Sequence, residues 1–187
     1  MEVPGIEPDS RHASEETDMD EIGTVVVGVD GTRASRPVLE HALHDAARRG
    51  ARLRVVAVVP PPEYWVETYG MGVVAPSVEV VAQVRADAQR MVDGVVAAHG
   101  DLLTRVPVSV AAVVRAPSDV LLAESRDADL LVVGHRGRGA VASAVLGSVG
   151  LHCVLHASCA VTIVAPEREV AVPDVAPVGV GTATVPA

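Results

Sequence analysis

The 187-residue chain is 49% hydrophobic, yet only 2% of its residues are aromatic and none is phenylalanine. This length is sufficient for one domain with a substantial core. That core must consist of Val, Ala, Leu and Ile, which suits a parallel sheet buried on both faces. The chain also contains no lysine, which excludes a Walker-type phosphate loop.

The net charge of −9 lies mostly in the two ends of the chain. Residues 1–21 contain eight acidic residues and one arginine, whereas residues 22–165 carry thirteen charges of each sign. Because a nucleic-acid-binding surface needs a basic face, we expect no nucleic-acid partner. The composition predicts a disordered acidic arm at 1–21, a folded domain at 22–166 and a disordered tail at 167–187.

Cysteine usage and the start of the chain favour a cytoplasmic protein. Cys153 and Cys159 do not make a disulfide framework, and the first residues lack the basic start and apolar stretch of a signal peptide. Residues 139–166 carry no charge, but glycines, serines and histidines interrupt the apolar run. We therefore expect no membrane span.

The first two predicted elements are a strand and a helix. "TVVVGVD" (24–30) is a short apolar run that ends in Asp-Gly, which is typical of a buried parallel strand. "SRPVLEHALHDAARRG" (35–50) has apolar residues at helical spacing. Ser35 or Arg36 is expected to cap this helix, and Gly50 to end it.

A second strand is predicted over 53–59, followed by three prolines and an irregular loop over 60–76. That loop contains all the aromatic residues of the chain: Tyr64, Trp65 and Tyr69. One ring could stack on a bound base or the segment could close as a lid. Alternatively, the rings only cover an edge of the core.

The remaining elements continue the alternation of helix and strand. We predict a helix over 77–99, a strand over 106–114, a helix from Pro117 to Arg126, a strand over 129–133, a helix over 148–157 and a strand over 160–165. This order predicts an α/β fold, a Rossmann-like five-stranded parallel sheet with helices on both faces. Ligands of such sheets bind beyond the carboxyl ends of the strands, where the strand order reverses.

A glycine-rich stretch, "GHRGRGAVASAVLGS" (134–148), follows the fourth predicted strand. Its spacing is Gly134, two residues, Gly137, nine residues, then Gly147 and Ser148. Backbone amides without obstructing side chains, a hydroxyl and a helix N-terminus can together surround phosphate oxygens. On spacing alone, these glycines could also form only a turn.

Three stretches together resemble the universal stress protein family over about residues 22–165. They are "VVVGVDGT" at the first strand, "ADLLVVGHRGRG" at the fourth, and "LGSV" with "VLHASCAVTIV" at the end. The ATP-binding branch of that family carries Gly-x2-Gly-x9-Gly-Ser/Thr, and this chain has the pattern without gaps.

The resemblance implies a set of nucleotide contacts. Asp30 would bind the ribose or the nearby phosphate edge, the Val58 backbone would bind adenine, and Gly134 would border the ribose. The phosphates, with Mg²⁺, would be held by Gly137, Gly147, Ser148 and the Val149 amide. ATP is the expected ligand, with AMP and ADP as alternatives.

The resemblance further implies a regulator or sensor in stress or dormancy that forms a homodimer through strand 160–165. An apolar strand at the edge of a sheet needs a cover, which also favours dimerisation. We find no catalytic group or metal ligand set in the sequence. The alternatives are a nucleotide-free interaction protein of the same fold and a slow ATP hydrolase.

The last predicted helix raises a separate question about metal binding. His152 and His156 are four residues apart, with Cys153 and Cys159 nearby, and zinc uses such ligands. The alternative, which we favour, is that these residues are structural. His135 is a weak candidate for a phosphate contact.

Overall fold

The computed structural model describes residues 22–70, 75–135 and 146–165. The predicted arm and tail therefore lie outside the described residues. This part of the chain contains five strands and six α-helices: β1 (Thr24–Val29), α1 (Ser35–Arg49), β2 (Arg52–Val59), α2 (Pro62–Tyr69), α3 (Val78–His99), α4 (Asp101–Thr104), β3 (Val108–Val114), α5 (Pro117–Glu124), β4 (Leu130–Gly134), α6 (Ser148–His156) and β5 (Ala160–Val164).

The strands form one parallel sheet in the order β3-β2-β1-β4-β5. The chain first winds from β1 outward to β3 and then returns to the other side of β1. The order thus reverses between β1 and β4. This confirms the predicted five-stranded parallel sheet and creates the crevice in which such folds bind ligands.

Helices cover both faces of the sheet and enclose two hydrophobic clusters. One face packs against α1, α3 and α4, whose buried side chains include Leu39, Val92 and Leu103. The other face packs against α5 and α6, which contribute Leu121 and Cys153. The largest fully buried side chains are all leucine and valine. Fully burying each such side chain stabilises the fold by about 1.5–3 kcal/mol.

Glycines end two of the helices as the sequence predicts. Gly50 follows α1 with a φ of 63°, and its N–H donates to the carbonyl groups of the last helical turn. Gly100 follows α3 with a φ of 65°. Glycine adopts this left-handed backbone conformation without a steric penalty, because it has no Cβ. At the start of α3, the Ser77 hydroxyl accepts a hydrogen bond from the Val80 N–H.

The predicted loop over 60–76 is wrong in part, because residues Pro62–Tyr69 form helix α2. Proline is compatible with the first turn of a helix, where its missing N–H has no intrahelical partner. Gly70 ends this helix with a φ of 67°, and its N–H donates to the Val66 carbonyl at 2.9 Å. The prolines that were expected to break regular structure therefore precede and begin a helix.

The predicted cap of α1 is also wrong. The N-cap position is Ala34, which offers no side-chain acceptor, and Ser35 is the first helical residue. The Ser35 hydroxyl is used elsewhere, as described below. Among the described residues, no helix has the length and apolar character required to cross a bilayer.

Candidate functional site at the carboxyl edge of the sheet

The carboxyl ends of β1, β2 and β4 meet at the point where the strand order reverses. Asp30 directly follows β1, Gly134 is the last residue of β4, and Val58 is the penultimate residue of β2. Of the predicted site residues, these three are brought to one edge by the sheet itself. The strand register therefore assembles one end of the candidate site.

Asp30 is held by a tight turn directly after β1. Gly31 has a φ of 77°, which turns the chain away from the sheet. Oδ1 of Asp30 accepts hydrogen bonds from the Thr32 N–H at 2.9 Å, the Thr32 hydroxyl at 2.7 Å and the Ser35 hydroxyl at 2.7 Å. These three donors fix the orientation of a half-buried carboxylate at the mouth of the crevice.

Thr32 and Ser35 are site residues that the sequence reasoning missed. The signal was present in "DGT", because an Asp or Asn side chain commonly accepts from the N–H two residues later. The sequence reasoning offered Ser35, or alternatively Arg36, as the cap of α1 instead. In the structure its hydroxyl also accepts from the Asp30 N–H at 3.1 Å.

Val58 follows the last residue of β2 that is paired with β1, just as Asp30 follows the last residue of β1. The β1–β2 ladder ends with the pair Val29–Ala57, so the next position on β2 has no strand partner on the β1 side. The Arg52 N–H donates to the Gly23 carbonyl, which shows that even-numbered residues of β2 direct their backbone groups toward β1. The backbone of Val58 is therefore directed to the edge at which β1 turns away.

The glycine-rich stretch is closed at its base by backbone hydrogen bonds. The His135 N–H donates to the Val164 carbonyl at 2.8 Å, and the Gly147 N–H donates to the His135 carbonyl at 3.0 Å. The second of these bonds brings Gly147 beside the end of β4. Gly137 lies outside the described residues, as do Arg136 and Arg138.

Helix α6 begins directly after Gly147, beside the end of β4. Gly147 has ordinary extended backbone angles, with a φ of −61° and a ψ of 153°. Within the part of the chain that the structure describes, no side chain caps the first amides of α6. Ser148 is exposed and Val149 is half-buried. The N-terminus of a helix attracts anions through its unpaired N–H groups and its dipole.

Gly150, in the first turn of α6, allows the helix to approach β4 closely. A Cβ atom at this position would lie 3.0 Å from Cδ1 of Leu146 and 3.7 Å from the Gly134 carbonyl oxygen. A glycine inside a helix costs about 1 kcal/mol relative to alanine. Here the close packing of α6 against the end of β4 gives that glycine a structural role.

Comparison with known proteins assigns the family. The family model of the universal stress protein family matches residues 21–165. The chain belongs to this family. This confirms the resemblance derived from the three sequence stretches.

Curated universal stress proteins differ in how much of their length this chain matches. The universal stress protein Rv1996 of Mycobacterium tuberculosis is 38% identical over 166 residues, which are 84% of this chain and 52% of that protein. A universal stress protein of Thermus aquaticus is 33% identical, over 75% of this chain and 97% of that protein. The chain thus spans about half the length of the first curated relatives it matches.

A solved universal stress protein shares the fold. UspA from Lactobacillus plantarum is 19% identical and covers 76% of this chain and 97% of its own, with a TM-score of 0.55. A universal stress protein solved in complex with cAMP is 27% identical and covers 77% of this chain and 97% of its own, with a TM-score of 0.49.

The aromatic residues of this universal stress protein lie on α2, directly after β2. Tyr64 is half-buried, whereas the side chains of Trp65 and Tyr69 lie outside the described residues. Whether a ring stacks on a base or covers the core stays a prediction.

The histidines and cysteines around α6 do not face one point. Cys153 is fully buried against the sheet, whereas His152 and His156 are exposed, with ring centroids 4.6 Å apart. Burial, together with the smaller effect of the neighbouring Cys159, raises the pKa of the Cys153 thiol to about 11. Burial also raises the pKa of Cys159. Because metal-binding cysteines are thiolates, this environment favours the structural interpretation.

His135 lies within the candidate site but contributes mainly through its backbone. Its N–H and carbonyl groups join β5 to Gly147, as described above. Its Nδ1 is buried and has no hydrogen-bond partner among the described residues.

Proposed function

We propose that this universal stress protein binds ATP in the crevice between β1 and β4 and acts as a nucleotide-dependent regulator or sensor. One observation carries the proposal. The ends of β1, β2 and β4 converge with the N-terminus of α6 at the reversal of strand order. Parallel α/β sheets bind nucleotides at such a crevice.

The nucleoside half of the ligand would lie against β1 and β2. The backbone of Val58, one position beyond the last β1–β2 pair, offers hydrogen-bonding groups to the adenine edge. Asp30 offers carboxylate oxygens to the ribose hydroxyls. A carboxylate whose orientation is already fixed by Thr32 and Ser35 loses little freedom when it binds, which favours affinity.

The phosphates would lie between the glycine-rich stretch and α6. We assign Gly134 to the border of the ribose, and Gly137, Gly147, Ser148 and the Val149 amide to the phosphates. The absence of a side chain at Gly147 and the uncapped first turn of α6 support this assignment. Mg²⁺ would neutralise part of the phosphate charge, since the chain has no lysine for that purpose.

We further propose a cytoplasmic homodimer that pairs β5 with its counterpart in a second copy. β5 is the last strand of the sheet, and its side chains from Val161 to Val164 are only half-buried. On α6, which packs near β5, three large apolar side chains are exposed: Leu151, Val154 and Leu155. A second copy would cover both the unpaired strand edge and apolar surface.

The first experiment identifies the ligand. The full chain is purified without added nucleotide and denatured, and any released small molecule is identified by mass spectrometry. Binding of ATP, ADP and AMP with Mg²⁺ is then measured by calorimetry. The proposal predicts a released or bound adenine nucleotide. No release, combined with no binding at millimolar ATP, would contradict it and favour a nucleotide-free interaction protein.

Two glycine variants locate the site. Gly147→Val should abolish binding without backbone strain, because the angles at Gly147 are accessible to valine. Gly137→Val should have the same effect. Gly94→Val on α3 is the matched control, since a Cβ there would lie 3.7 Å from the Arg36 side chain, an ordinary contact. Unchanged affinity in folded Gly147→Val would contradict the site assignment.

A separate assay tests the alternative of slow ATP hydrolysis. Phosphate release from ATP at a stoichiometric concentration of the protein would reveal it.

A further inference from the structure

A second cluster of ligand-type side chains lies between α1 and the end of α3. Glu40 and His44 are one turn apart on α1, and His99 is the last residue of α3. Each offers one ligand atom, and these three atoms all lie within 4.8 Å of one another. We propose that Glu40, His44 and His99 bind a divalent transition metal, with Zn²⁺ as the ion that fits best.

The hydrogen bonding of His99 leaves its other nitrogen directed at Glu40. Nδ1 of His99 lies 2.9 Å from the Val95 carbonyl oxygen, and because that oxygen can only accept, Nδ1 carries the proton. Nε2 lies 2.7 Å from Oε1 of Glu40. Nε2 of His99 and the Glu40 carboxylate are therefore directed at one point, where a metal ion could bind both atoms once they separate to the spacing of zinc ligands.

The same arrangement orients histidine ligands in metal sites. A metal-binding histidine usually donates its second ring N–H to a backbone carbonyl or a carboxylate, which fixes the tautomer and the ring plane. The Val95 carbonyl already has that role for His99. The His44 and His99 rings meet edge to face, with centroids 5.1 Å apart.

The spacing and the exposure of the cluster suit a metal with one open position. Ligand atoms of tetrahedral zinc are about 3.3 Å apart, given bond lengths near 2.0–2.1 Å. Small rotations of the three side chains would reach this spacing from the present one. The His99 and Glu40 side chains are 27% and 36% exposed, so solvent reaches the cluster and water can supply a fourth ligand.

The ligand types select the class of metal. Two imidazole groups with one carboxylate favour zinc and its transition-metal neighbours, whereas calcium and magnesium prefer oxygen ligands throughout. A bound ion would replace the direct contact between Glu40 and His99. It would also join α1 to the end of α3.

This cluster is separate from the nucleotide crevice. His44 lies nine residues after Ser35 on α1, which places it about 13 Å further along the helix, away from Asp30. His99 lies at the end of α3, shortly before β3 enters the sheet at its amino edge. The metal site and the nucleotide site can therefore be tested independently.

The test measures Zn²⁺ binding to the full chain by calorimetry after treatment with a chelator. It uses a His152→Ala/His156→Ala background, because those two exposed histidines on α6 form a competing pair. We expect one Zn²⁺ per chain. The substitutions His44→Ala and Glu40→Gln should each weaken binding at least tenfold. His41→Ala is the matched control, because His41 is also on α1 but faces Asp45 instead.

Cobalt substitution supplies a readout that depends on coordination. Co²⁺ bound by Glu40, His44 and His99 should give the strong visible absorption of a four-coordinate ion, which His44→Ala should remove and His41→Ala should retain. Equal zinc affinity in His44→Ala and His41→Ala, or no zinc binding by the parent chain, would overturn the proposal. If His44→Ala does not fold, Glu40→Gln keeps the side-chain size and allows the same comparison.

Discussion

The hydroxyl group of Ser35 makes two hydrogen bonds to Asp30: it donates to Oδ1 at 2.7 Å and accepts from the backbone N–H at 3.1 Å. Ser35 is only 5% exposed, so neither group can readily exchange its partner for water. The first helical residue after β1 thereby sets the position of the carboxylate that we assign to the ribose.

Ser35→Ala should therefore lower both stability and nucleotide affinity. Losing these buried hydrogen bonds should cost about 1–3 kcal/mol in the free energy of unfolding. A less fixed Asp30 should weaken nucleotide binding by roughly tenfold, equivalent to about 1.4 kcal/mol. Urea denaturation and calorimetry measure the two effects.

Ser125→Ala is the matched control for this substitution. Ser125 is 1% exposed, donates to the Leu122 carbonyl at 2.8 Å and accepts from the Ser158 N–H at 3.1 Å. It lies just before β4, at the opposite edge of the sheet. It should show a similar loss of stability with no change in nucleotide affinity. A parallel loss of affinity in both variants would argue against a specific role for Ser35.

Gly28→Ala should destabilise the fold by overpacking. A Cβ at Gly28, the penultimate residue of β1, would lie 3.0 Å from both terminal carbons of Leu121 on α5. We expect a loss of about 1–3 kcal/mol for this change and about 2–5 kcal/mol for Leu121→Ala. The double variant should lose less than the sum, because the added methyl group partly fills the space. Additive losses in urea denaturation would contradict this packing.

The buried thiol of Cys153 should make stability fall at alkaline pH. Its pKa is about 11 in the folded protein and near 9.0 when unfolded. Below pH 9 both states are protonated and the thiol has no effect. Between pH 9 and 11 the unfolded state loses its proton first, so the free energy of unfolding decreases.

The comparison with Cys153→Ala isolates this effect from other groups that titrate at high pH. The substitution should reduce stability at pH 7 through a small cavity, and the difference from wild type should shrink as the pH rises from 9 to 11. Thermal denaturation across that range measures it. A constant difference would show that Cys153 ionises equally in both states.

Proline substitutions on β5 separate the role of its outward-facing backbone groups from that of its hydrogen bonds to β4. The Val164 carbonyl accepts from the His135 N–H, so the backbone groups of Val164 and Thr162 face β4, whereas those of Ile163 face outward. Thr162→Pro should remove a ladder bond and destabilise the monomer. Ile163→Pro should leave the ladder intact and dissociate the proposed dimer. If the Ile163→Pro variant remains dimeric in sedimentation analysis, pairing through this edge is contradicted.

The parallel sheet was predictable because each strand is a short apolar run between clear helix and turn signals. Gly50 marked the end of α1, and Asp30 and Gly134 marked the carboxyl ends of two strands. The misread segment was Pro62–Tyr69, where the prolines indicated a break. Proline ends a helix that precedes it but is compatible with the first turn of one that follows, and the local sequence does not decide between these uses.

Residue spacing predicted where the candidate site lies, but not the contacts that orient its side chains. The spaced glycines and Asp30 pointed to the carboxyl edge, whereas the hydrogen bonds that orient Asp30 depend on side-chain positions in the folded turn. The Glu40–His44–His99 cluster was even harder to predict from the sequence. Glu40 and His44 show helical spacing, but the position of His99 depends on how α3 packs against α1.

The hydrogen bond from the Gly147 N–H to the His135 carbonyl joins the residues on either side of the eleven-residue segment 136–146 at a single point on the sheet edge. A change of length between His135 and Gly147 should therefore leave this junction of β4 and α6 in place, because both of its hydrogen-bonding groups belong to residues outside the segment.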